Sequence, residues 1–340
     1  MPEEEHQIYG ENKVFCRGRF IGGPDIASCG VSLAMIVIPT ILWQAQAGYY
    51  FMTQATPLAV LIPLAEIVMQ FGAGVLLLAT ALSDPGILPR QKEYANTQDL
   101  KTKVFRDQPP PRYFDAVVRG FPTKLKYCVT CNIYRPPRTS HCSQCENCIE
   151  RFDHHCPWLG NCIGKRNYRL FYAFLAVTSV LNVFVLTTSV LHLVFLVEES
   201  QEKGFDLGPS ILQTLAIAPT SLMVAVYGLG ISWFTCGLFM YHTYLVFSNM
   251  TTYEQVKGLF IDGHPYHYGF SGNFREVLLR PVRPSYLEGF RREKPAWPRQ
   301  SGLRSKKLES MAVPRASAKE QEVLTPESEV KGTGSTQERL

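Results

Sequence analysis

Long apolar stretches alternate with charged segments along this chain of 340 residues. Four of them are long enough to span a membrane, since about 20 apolar residues cross the hydrocarbon core of a bilayer. They are residues 27–46, 57–82, 170–197 and a stretch within 215–247. The pattern predicts an all-α integral membrane protein with four transmembrane helices.

The charges between the apolar stretches predict how these helices are oriented. Segment 47–56 has no charged residue, and segment 198–210 has one Lys against four Asp or Glu. Segment 83–169 has 15 Lys or Arg against eight Asp or Glu. Because basic segments stay on the cytosolic side of a membrane, we expect segment 83–169 and both termini in the cytosol. Cysteines there stay reduced, so disulfides are not expected.

The same pattern divides the chain into seven regions. Residues 92–120 include QPPPR and indicate an irregular linker, and 291–340 have the composition of a disordered tail. The expected regions are a cytosolic N-terminus (1–26), helices 1 and 2 with a short lumenal loop (27–82), a cytosolic linker (83–125), a cysteine-rich domain between helices 2 and 3 (126–169), helices 3 and 4 with a lumenal loop (170–247), a cytosolic C-terminal region (248–290) and the tail (291–340).

The cysteine-rich domain has the composition of a metal-binding module. Seven of the ten cysteines and three histidines lie between Cys128 and Cys162. Two Cys-x-x-Cys pairs begin at Cys128 and Cys142, and each can clamp one side of a tetrahedral zinc. Two structural zinc ions need eight ligands, so two of the ten candidates are left over.

The string Asp153-His154-His155-Cys156 suggests what the two remaining groups do. One zinc cannot take three consecutive ligands, and a Cys beside a His that is itself beside an Asp suits a nucleophilic site. Either His154 or His155 could be the free histidine.

One alternative is a zinc module that recruits a partner without catalysis, but such a scaffold needs no spare nucleophile. Another alternative is a lipid or ion transporter, but Glu66 is the only formal charge inside the apolar stretches.

These residues resemble the DHHC protein S-acyltransferases, or palmitoyltransferases. The family pattern C-x2-C-x9-HC-x2-C-x2-C-x4-DHHC-x5-C-x4-N-x3-F matches without a gap from Cys128 to Phe171. Further family marks are DPG at Asp84–Gly86, TTYE at Thr251–Glu254, and a C-terminal motif with Tyr266 and Asn273, which has His264 where the family commonly has Asn. The sequence is most similar to the Golgi and plasma-membrane branch that includes the Ras palmitoyltransferase and plant members.

The resemblance implies a role for each residue of the domain. Cys156 would be the nucleophile, His154 its base and Asp153 the group that orients His154. Thr252 would reach Asp153, and Asn273 would pack helices near the membrane surface. The implied ligands of the two structural zinc ions are Cys128, Cys131, His141 and Cys148 for the first, and Cys142, Cys145, His155 and Cys162 for the second.

The resemblance also implies substrates and partners. The acyl donor would be acyl-CoA such as palmitoyl-CoA, and the acceptors cysteines of membrane-associated proteins. A golgin-A7-like accessory subunit is possible, and tethering to the bilayer argues against nucleic acid. Candidate substrate contacts are Arg135, Arg138, Lys165, Arg166 and Trp158 for CoA or the acyl chain, and Leu181 for the chain's end.

His192 and His242 are predicted to be interfacial, because they lie near the ends of their helices.

Overall fold

Four long apolar helices form the main body of the protein. The computed structural model describes residues 9–16, 18–54, 56–91, 110–261 and 263–287. The helices are α1 (Ser28–Thr53), α2 (Pro57–Ala81), α3 (Tyr168–Glu202) and α5 (Pro219–Ser248). Each is long and apolar enough to cross a membrane, which confirms the predicted four spans. Part of the predicted linker (92–109) and the predicted tail (291–340) lie outside the described residues.

The segments between the spans are more helical than the sequence pattern predicted. Residues 47–53, predicted as loop, continue α1 through a π-helical turn at Gln44–Gly48. The helix can continue because no proline lies between Pro39 and Pro57, and at Pro57 the Thr56 hydroxyl caps the start of α2. Helix α3 likewise continues to Glu202, and a short helix α4 (Leu207–Ile217) follows it.

Polar side chains cross-link the helices inside the bundle. Glu66 is buried in α2 and accepts a hydrogen bond from Gln44 Nε2 in the π-helical turn. A core of Trp43, Ala73, Leu181, Val185 and Val224 joins all four long helices at this level. Large apolar side chains cover much of the outer surface of the bundle, as expected of helices that face lipid.

The described residues before α1 and between α2 and α3 mainly form short antiparallel hairpins rather than helices. Strands β1 (Lys13–Phe15) and β2 (Phe20–Gly22) pair with each other, and β3 (Tyr113–Val118), β4 (Phe121–Cys128) and β5 (Ile133–Tyr134) form a small sheet. The strands that carry the metal-ligand candidates pair as β6 (Ser140–Cys142) with β7 (Asn147–Ile149), and β8 (His154–Cys156) with β9 (Asn161–Ile163). The predicted helical membrane protein with a cysteine-rich domain between helices 2 and 3 is confirmed, but that domain is built from hairpins, and the linker prediction was wrong for residues 113–118.

Buried amide side chains attach the hairpins to the end of the bundle. Asn161 Nδ2 in β9 donates to Ile21 O in β2, at 3.0 Å, and to Ala81 O at the end of α2, at 2.9 Å. Asn167, just before α3, donates to Cys162 O at 2.9 Å. These bonds join β9 to β2, to the end of α2 and to the start of α3, so they fix where β8 and β9 sit relative to the helices.

A close backbone crossing between Gly160 and Asp25 also holds the N-terminal segment against the start of β9. Gly160 has φ +63°, and a Cβ there would lie 2.1 Å from Asp25 O. We expect Gly160→Ala to lower the free energy of unfolding by about 2 kcal/mol from overpacking, beyond the ~1 kcal/mol of left-handed strain. Thermal unfolding of the purified protein measures this loss.

Gly120→Ala is the matched control for this prediction. Gly120 also has a positive φ, +85°, but a Cβ there would meet open space. Equal unfolding temperatures for the two variants would contradict the proposed clash at Gly160.

Candidate active site and metal centres

Four side chains from the first two hairpins of the cysteine-rich domain converge on one point. The first Cys/His cluster consists of Cys128, Cys131, His141 and Cys148. The Nδ1 atom of His141 lies 3.5 Å from the sulfur of Cys128, 3.5 Å from that of Cys131 and 3.8 Å from that of Cys148. His141 Nε2, on the other side of the ring, lies 3.7 Å from a carboxylate oxygen of Glu146.

A second cluster forms in the same way one hairpin further along. The second Cys/His cluster consists of Cys142, Cys145, His155 and Cys162. The Nδ1 atom of His155 lies 3.8, 3.4 and 3.6 Å from the sulfurs of Cys142, Cys145 and Cys162. Its Nε2 lies 3.5 Å from an Asp25 carboxylate oxygen, which comes from the segment before α1.

Both clusters have the dimensions of a tetrahedral zinc site. A zinc ion with its usual bond lengths to sulfur and nitrogen places those two ligand atoms about 3.6 Å apart. The nitrogen–sulfur distances in both clusters fall around that value, and the six cysteines are buried. The outer histidine nitrogens face carboxylates, as metal-bound histidines commonly do. The two groups could therefore each hold a zinc ion, and they are the groups that the family resemblance implied.

The alternation of β8 separates the second cluster from a reactive pair. Successive side chains of a strand point to opposite faces, so His155 turns toward its cluster while His154 and Cys156 share the other face. The His154 side chain interacts with the Cys156 thiol, and its Nδ1 lies 2.7 Å from Asp153 Oδ2. The sequence left open which histidine was free, and the structure leaves His154 outside both clusters.

Asp153 is buried and fully engaged. Its side chain is 1% exposed, and Thr252 contributes two hydrogen bonds, from its backbone N–H to Oδ1 at 2.9 Å and from its hydroxyl to Oδ2 at 2.8 Å. Burial disfavours the carboxylate, but the hydrogen bond and charge of His154 and the backbone hydrogen bond of Thr252 act together against it, so the pKa of Asp153 is lowered. A charged Asp153 is therefore available beside the imidazole.

The environment of His154 favours a positive imidazole. Burial lowers the pKa of His154, but its hydrogen bonds to Asp153 and Cys156 raise it to about 10 in the balance. The protonated ring is the form that results when a histidine takes a proton from a thiol. Asp153, His154 and Cys156 thus have the relative placement of an acid, a base and a nucleophile.

The position of Thr252 depends on a short helix that is stapled to the cysteine-rich domain. Helix α6 (Thr252–Lys257) starts with a capping box between Thr251 and Glu254. Arg138 donates to both carboxylate oxygens of Glu254, at 2.7 and 2.6 Å, and to the side chain and backbone of Asn249. The sequence predicted that Arg138 meets CoA. The structure instead directs its guanidinium into the protein, so we reassign it to holding α6 in place.

The Arg138–Glu254 pair should contribute substantially to stability. Glu254 is 2% exposed, and removing one partner of a buried pair costs about 3–5 kcal/mol because the other charge is left uncompensated. We expect Glu254→Gln to lower the free energy of unfolding by that amount. Glu276→Gln is the control, because Glu276 pairs with Arg280 at the surface at a similar 2.7 Å, and exposed pairs contribute about 0–1 kcal/mol. Similar losses of thermal stability in both variants would contradict this expectation.

The other residues predicted to contact CoA differ in whether their side chains already have a partner in the protein. Lys165 pairs with Glu150 at 2.7 Å, and Arg166 pairs with Asp84 of the DPG motif at 3.1 Å. The Nε atom of Arg135 is buried without a hydrogen-bond partner within the part of the chain that the structure describes. Trp158 is 52% exposed and lies two residues after Cys156, where its carbonyl accepts from Ser32 Oγ in α1.

Two predicted residues lie within the helices or against them. Leu181 is 1% exposed and packs in the core around Trp43. Asn273, in helix α7 (Gly269–Phe274), donates to Phe247 O at the end of α5 and accepts from Tyr268 N. The fold thus places Asn273 where two helices meet.

The sequence predicted the environment of two histidines wrongly. His192 and His242 were expected at the membrane interface, but both are buried, with 2% and 1% exposure. The ring centroid of His242 lies 6.0 Å from that of His154, and Tyr168, at the start of α3, lies within hydrogen-bond distance of His242. One signal in the sequence pointed this way, because ionisable residues inside membrane spans commonly serve function.

Comparisons with known proteins agree with the family resemblance. The profile of the DHHC palmitoyltransferase family matches residues 122–258. Palmitoyltransferase ZDHHC14 of Mus musculus is 38% identical over 296 residues, which cover 82% of this chain and 58% of that protein. Palmitoyltransferase ZDHHC18 of Mus musculus is 37% identical over 84% of this chain and 76% of that protein. Protein S-acyltransferase 8 of Arabidopsis thaliana is 34% identical over 84% of this chain and 71% of that protein. The chain thus spans little more than half the length of the first of these relatives.

Proposed function

Because the chain belongs to the DHHC palmitoyltransferase family, we propose that it transfers long-chain acyl groups from acyl-CoA to cysteines of membrane-associated proteins. The observation that carries this proposal is the contact chain Asp153–His154–Cys156 beside two zinc-sized clusters. A protein that used zinc only to recruit a partner would not need a cysteine held against a carboxylate-bound imidazole.

The first step would load the acyl group onto the protein. His154 takes the proton of the Cys156 thiol, and the thiolate attacks the carbonyl carbon of the acyl-CoA thioester. A new carbon–sulfur bond forms to Cys156, the bond to the CoA sulfur breaks, and CoA leaves with the proton from His154. Asp153 holds Nδ1 of His154 as the donor, so Nε2 is free to accept the proton.

The second step would pass the acyl group to a protein. The thiol of a substrate cysteine gives its proton to His154 and attacks the thioester at Cys156, and Cys156 then leaves as a thiolate and regains the proton. Donor and acceptor would therefore react in turn, with ping-pong kinetics and an acyl-enzyme that hydroxylamine cleaves.

The position of Cys156 suits a substrate with an apolar tail. Cys156 packs in one core with Leu77 of α2 and Leu175 of α3, and Leu181 lies further along α3. From Phe171 to Leu181 a helix rises about 15 Å, and each buried CH2 of a chain contributes about 0.8 kcal/mol. We propose that the acyl chain runs along this path and that Leu181 lies near its end.

The CoA contacts that we retain are Arg135, Lys165, Arg166 and Trp158. Arg135 is the best of these candidates, because its Nε has no hydrogen-bond partner among the described residues. Lys165 and Arg166 already pair with Glu150 and Asp84, so each would have to bind a CoA phosphate in addition to its carboxylate partner. Trp158 could cover the thioester, since it is exposed two residues after the nucleophile.

We further propose where the protein works and with what. The basic residues of segment 83–169 support cytosolic termini and a cytosolic active site. The resemblance to the Ras palmitoyltransferase branch supports the Golgi, or otherwise the plasma membrane, and a golgin-A7-like accessory subunit. Full and stable activity of the chain purified alone would count against that subunit.

The test is direct labelling of the nucleophile. The full chain is purified in nanodiscs and incubated with labelled palmitoyl-CoA, and its hydroxylamine-labile label is compared with that of Cys156→Ala. The matched control is Cys236→Ala, which changes a partly buried cysteine of α5. We expect label on the native and control proteins and none on Cys156→Ala. Equal label on all three proteins would overturn the assignment.

A further inference from the structure

Two aromatic rings from the membrane helices, Phe171 and His242, pack against the imidazole of His154, and together we call them the ring wall. The ring of His154 lies 5.4 Å from Phe171 of α3 and 6.0 Å from His242 of α5, measured between centroids. Phe171 and His242 are themselves 4.9 Å apart and nearly perpendicular. The three rings therefore pack against one another, and the ring of His154 lies against the point where α3 and α5 meet.

A polar bond between the helices fixes this wall. The hydroxyl of Tyr168, in the first turn of α3, lies 3.1 Å from Nδ1 of His242. In the tautomer of His242 that carries its proton on Nε2, the phenol hydroxyl donates to Nδ1. Both residues are buried, so the bond has little competition from water.

We propose that His242 is a positioning residue for the acyl transfer, because with Tyr168 it fixes the ring orientation of His154. The inference rests on the proposed function. His154 must keep Nδ1 toward Asp153 and Nε2 toward Cys156 while its proton is exchanged. A ring that tilts away loses one of these partners, since it is bonded to them on opposite sides.

The wall prevents this tilt because it comes from two rigid helices rather than from a loop. His242 cannot turn without breaking its bond to Tyr168, and Phe171 cannot move without displacing His242. A misplacement of about 1 Å at a reacting group can reduce a rate by about 10²-fold. The expected effect of His242 is therefore on the rate of acyl-enzyme formation rather than on the affinity for acyl-CoA.

Three substitutions at one position separate the two ring nitrogens. His242→Asn keeps an acceptor where Nδ1 lies, His242→Gln keeps one where Nε2 lies, and His242→Leu keeps neither. We expect Asn to stay within about 10-fold of the native rate, and Gln and Leu to lose about 10²-fold, with the KM for palmitoyl-CoA unchanged within about twofold. The rate is measured as hydroxylamine-labile label after rapid quenching.

Tyr168→Phe tests the other end of the bond. We expect its loss to match that of His242→Leu, and the double variant to be no slower than either single one, because both remove the same interaction. His192→Asn is the control. His192 is another buried histidine of the helix bundle, bonded to Ser221 at 2.8 Å, and it has no contact with the ring wall.

The possible results decide the inference. Native rates in all three His242 variants would overturn it, and so would a slow Asn variant beside an active Gln variant, because Nε2 would then be the important atom. If His242→Leu does not fold, as judged by loss of its zinc, the Asn and Gln pair decides alone. Failure of the proposed function is distinct, because the native protein would then carry no label, and the inference would fall with it.

Discussion

Asp153→Asn is expected to reduce acyl-enzyme formation by about 10⁴-fold, the loss typical of a base whose imidazole is held in the wrong tautomer. The carboxylate accepts three hydrogen bonds, one from His154 and two from Thr252. An asparagine has only one oxygen and must turn its amide toward one of these donors. With the oxygen on the Thr252 N–H, the amide faces Nδ1 of His154 and forces the proton onto Nε2. His154 then has no lone pair for the thiol of Cys156.

The measurement is the rate at which label from palmitoyl-CoA enters the hydroxylamine-labile pool. Asp115→Asn is the control, because Asp115 is an exposed carboxylate of β3 outside both Cys/His clusters and the reactive pair. We expect its rate to stay near that of the native protein. A rate within about 10-fold of native for Asp153→Asn, with zinc content retained, would contradict the role of Asp153.

Thr252 should show a smaller effect on the same step. Thr252→Val removes the hydroxyl that donates to Asp153 but keeps the backbone donor. One hydrogen bond to a charged group contributes about 1.5–3 kcal/mol, so we expect the rate to fall about 10–100-fold. Thr252→Ser keeps the hydroxyl and should restore most of the rate.

The parts of the site that could be predicted from the sequence are those set by local spacing. Ligands two residues apart identify the Cys-x-x-Cys pairs, and apolar length identifies the four spans. Both signals lie within single segments of the chain. The alternation of β8 also separates His154 from His155, but only once that segment is known to be a strand.

The remaining features depend on how distant segments meet. Thr252 contacts Asp153 across 99 positions of the chain, and Arg138 contacts Glu254 across 116. No local pattern states that Arg138 faces an acid rather than a phosphate, because a basic residue near a membrane suits both. His242 was misassigned for the same reason. Its place near a helix end suggested water, whereas the cysteine-rich domain covers that end of the bundle.

The zinc-sized clusters and the nucleophile are linked through one residue. His155 belongs to the second Cys/His cluster and lies between His154 and Cys156 in β8. Metal binding would therefore fix the strand from one face while catalysis uses the other. The first Cys/His cluster has no ligand inside this strand, so the two clusters should differ in how strongly they affect the chemistry.

Cys142→Ala is accordingly expected to lose both one zinc ion and the acyl-enzyme. It removes one of four ligands from the second Cys/His cluster, and structural zinc sites contribute about 10–16 kcal/mol of binding free energy to folding. We expect one zinc per chain by elemental analysis, a large drop in thermal stability, and a loss of labelling of about 10²-fold or more as β8 loses its anchor.

Two comparisons make the result specific to the second Cys/His cluster. Cys142→His supplies another zinc ligand at the same position and should recover part of the metal and part of the labelling, which a general packing defect would not allow. Cys128→Ala should also leave one zinc per chain, but with more residual labelling than Cys142→Ala, because its cluster has no ligand in β8. Two zinc ions per chain in Cys142→Ala would show that the ligand assignment is wrong. Equal labelling in the two alanine variants would show that His155 does not couple the metal to the nucleophile.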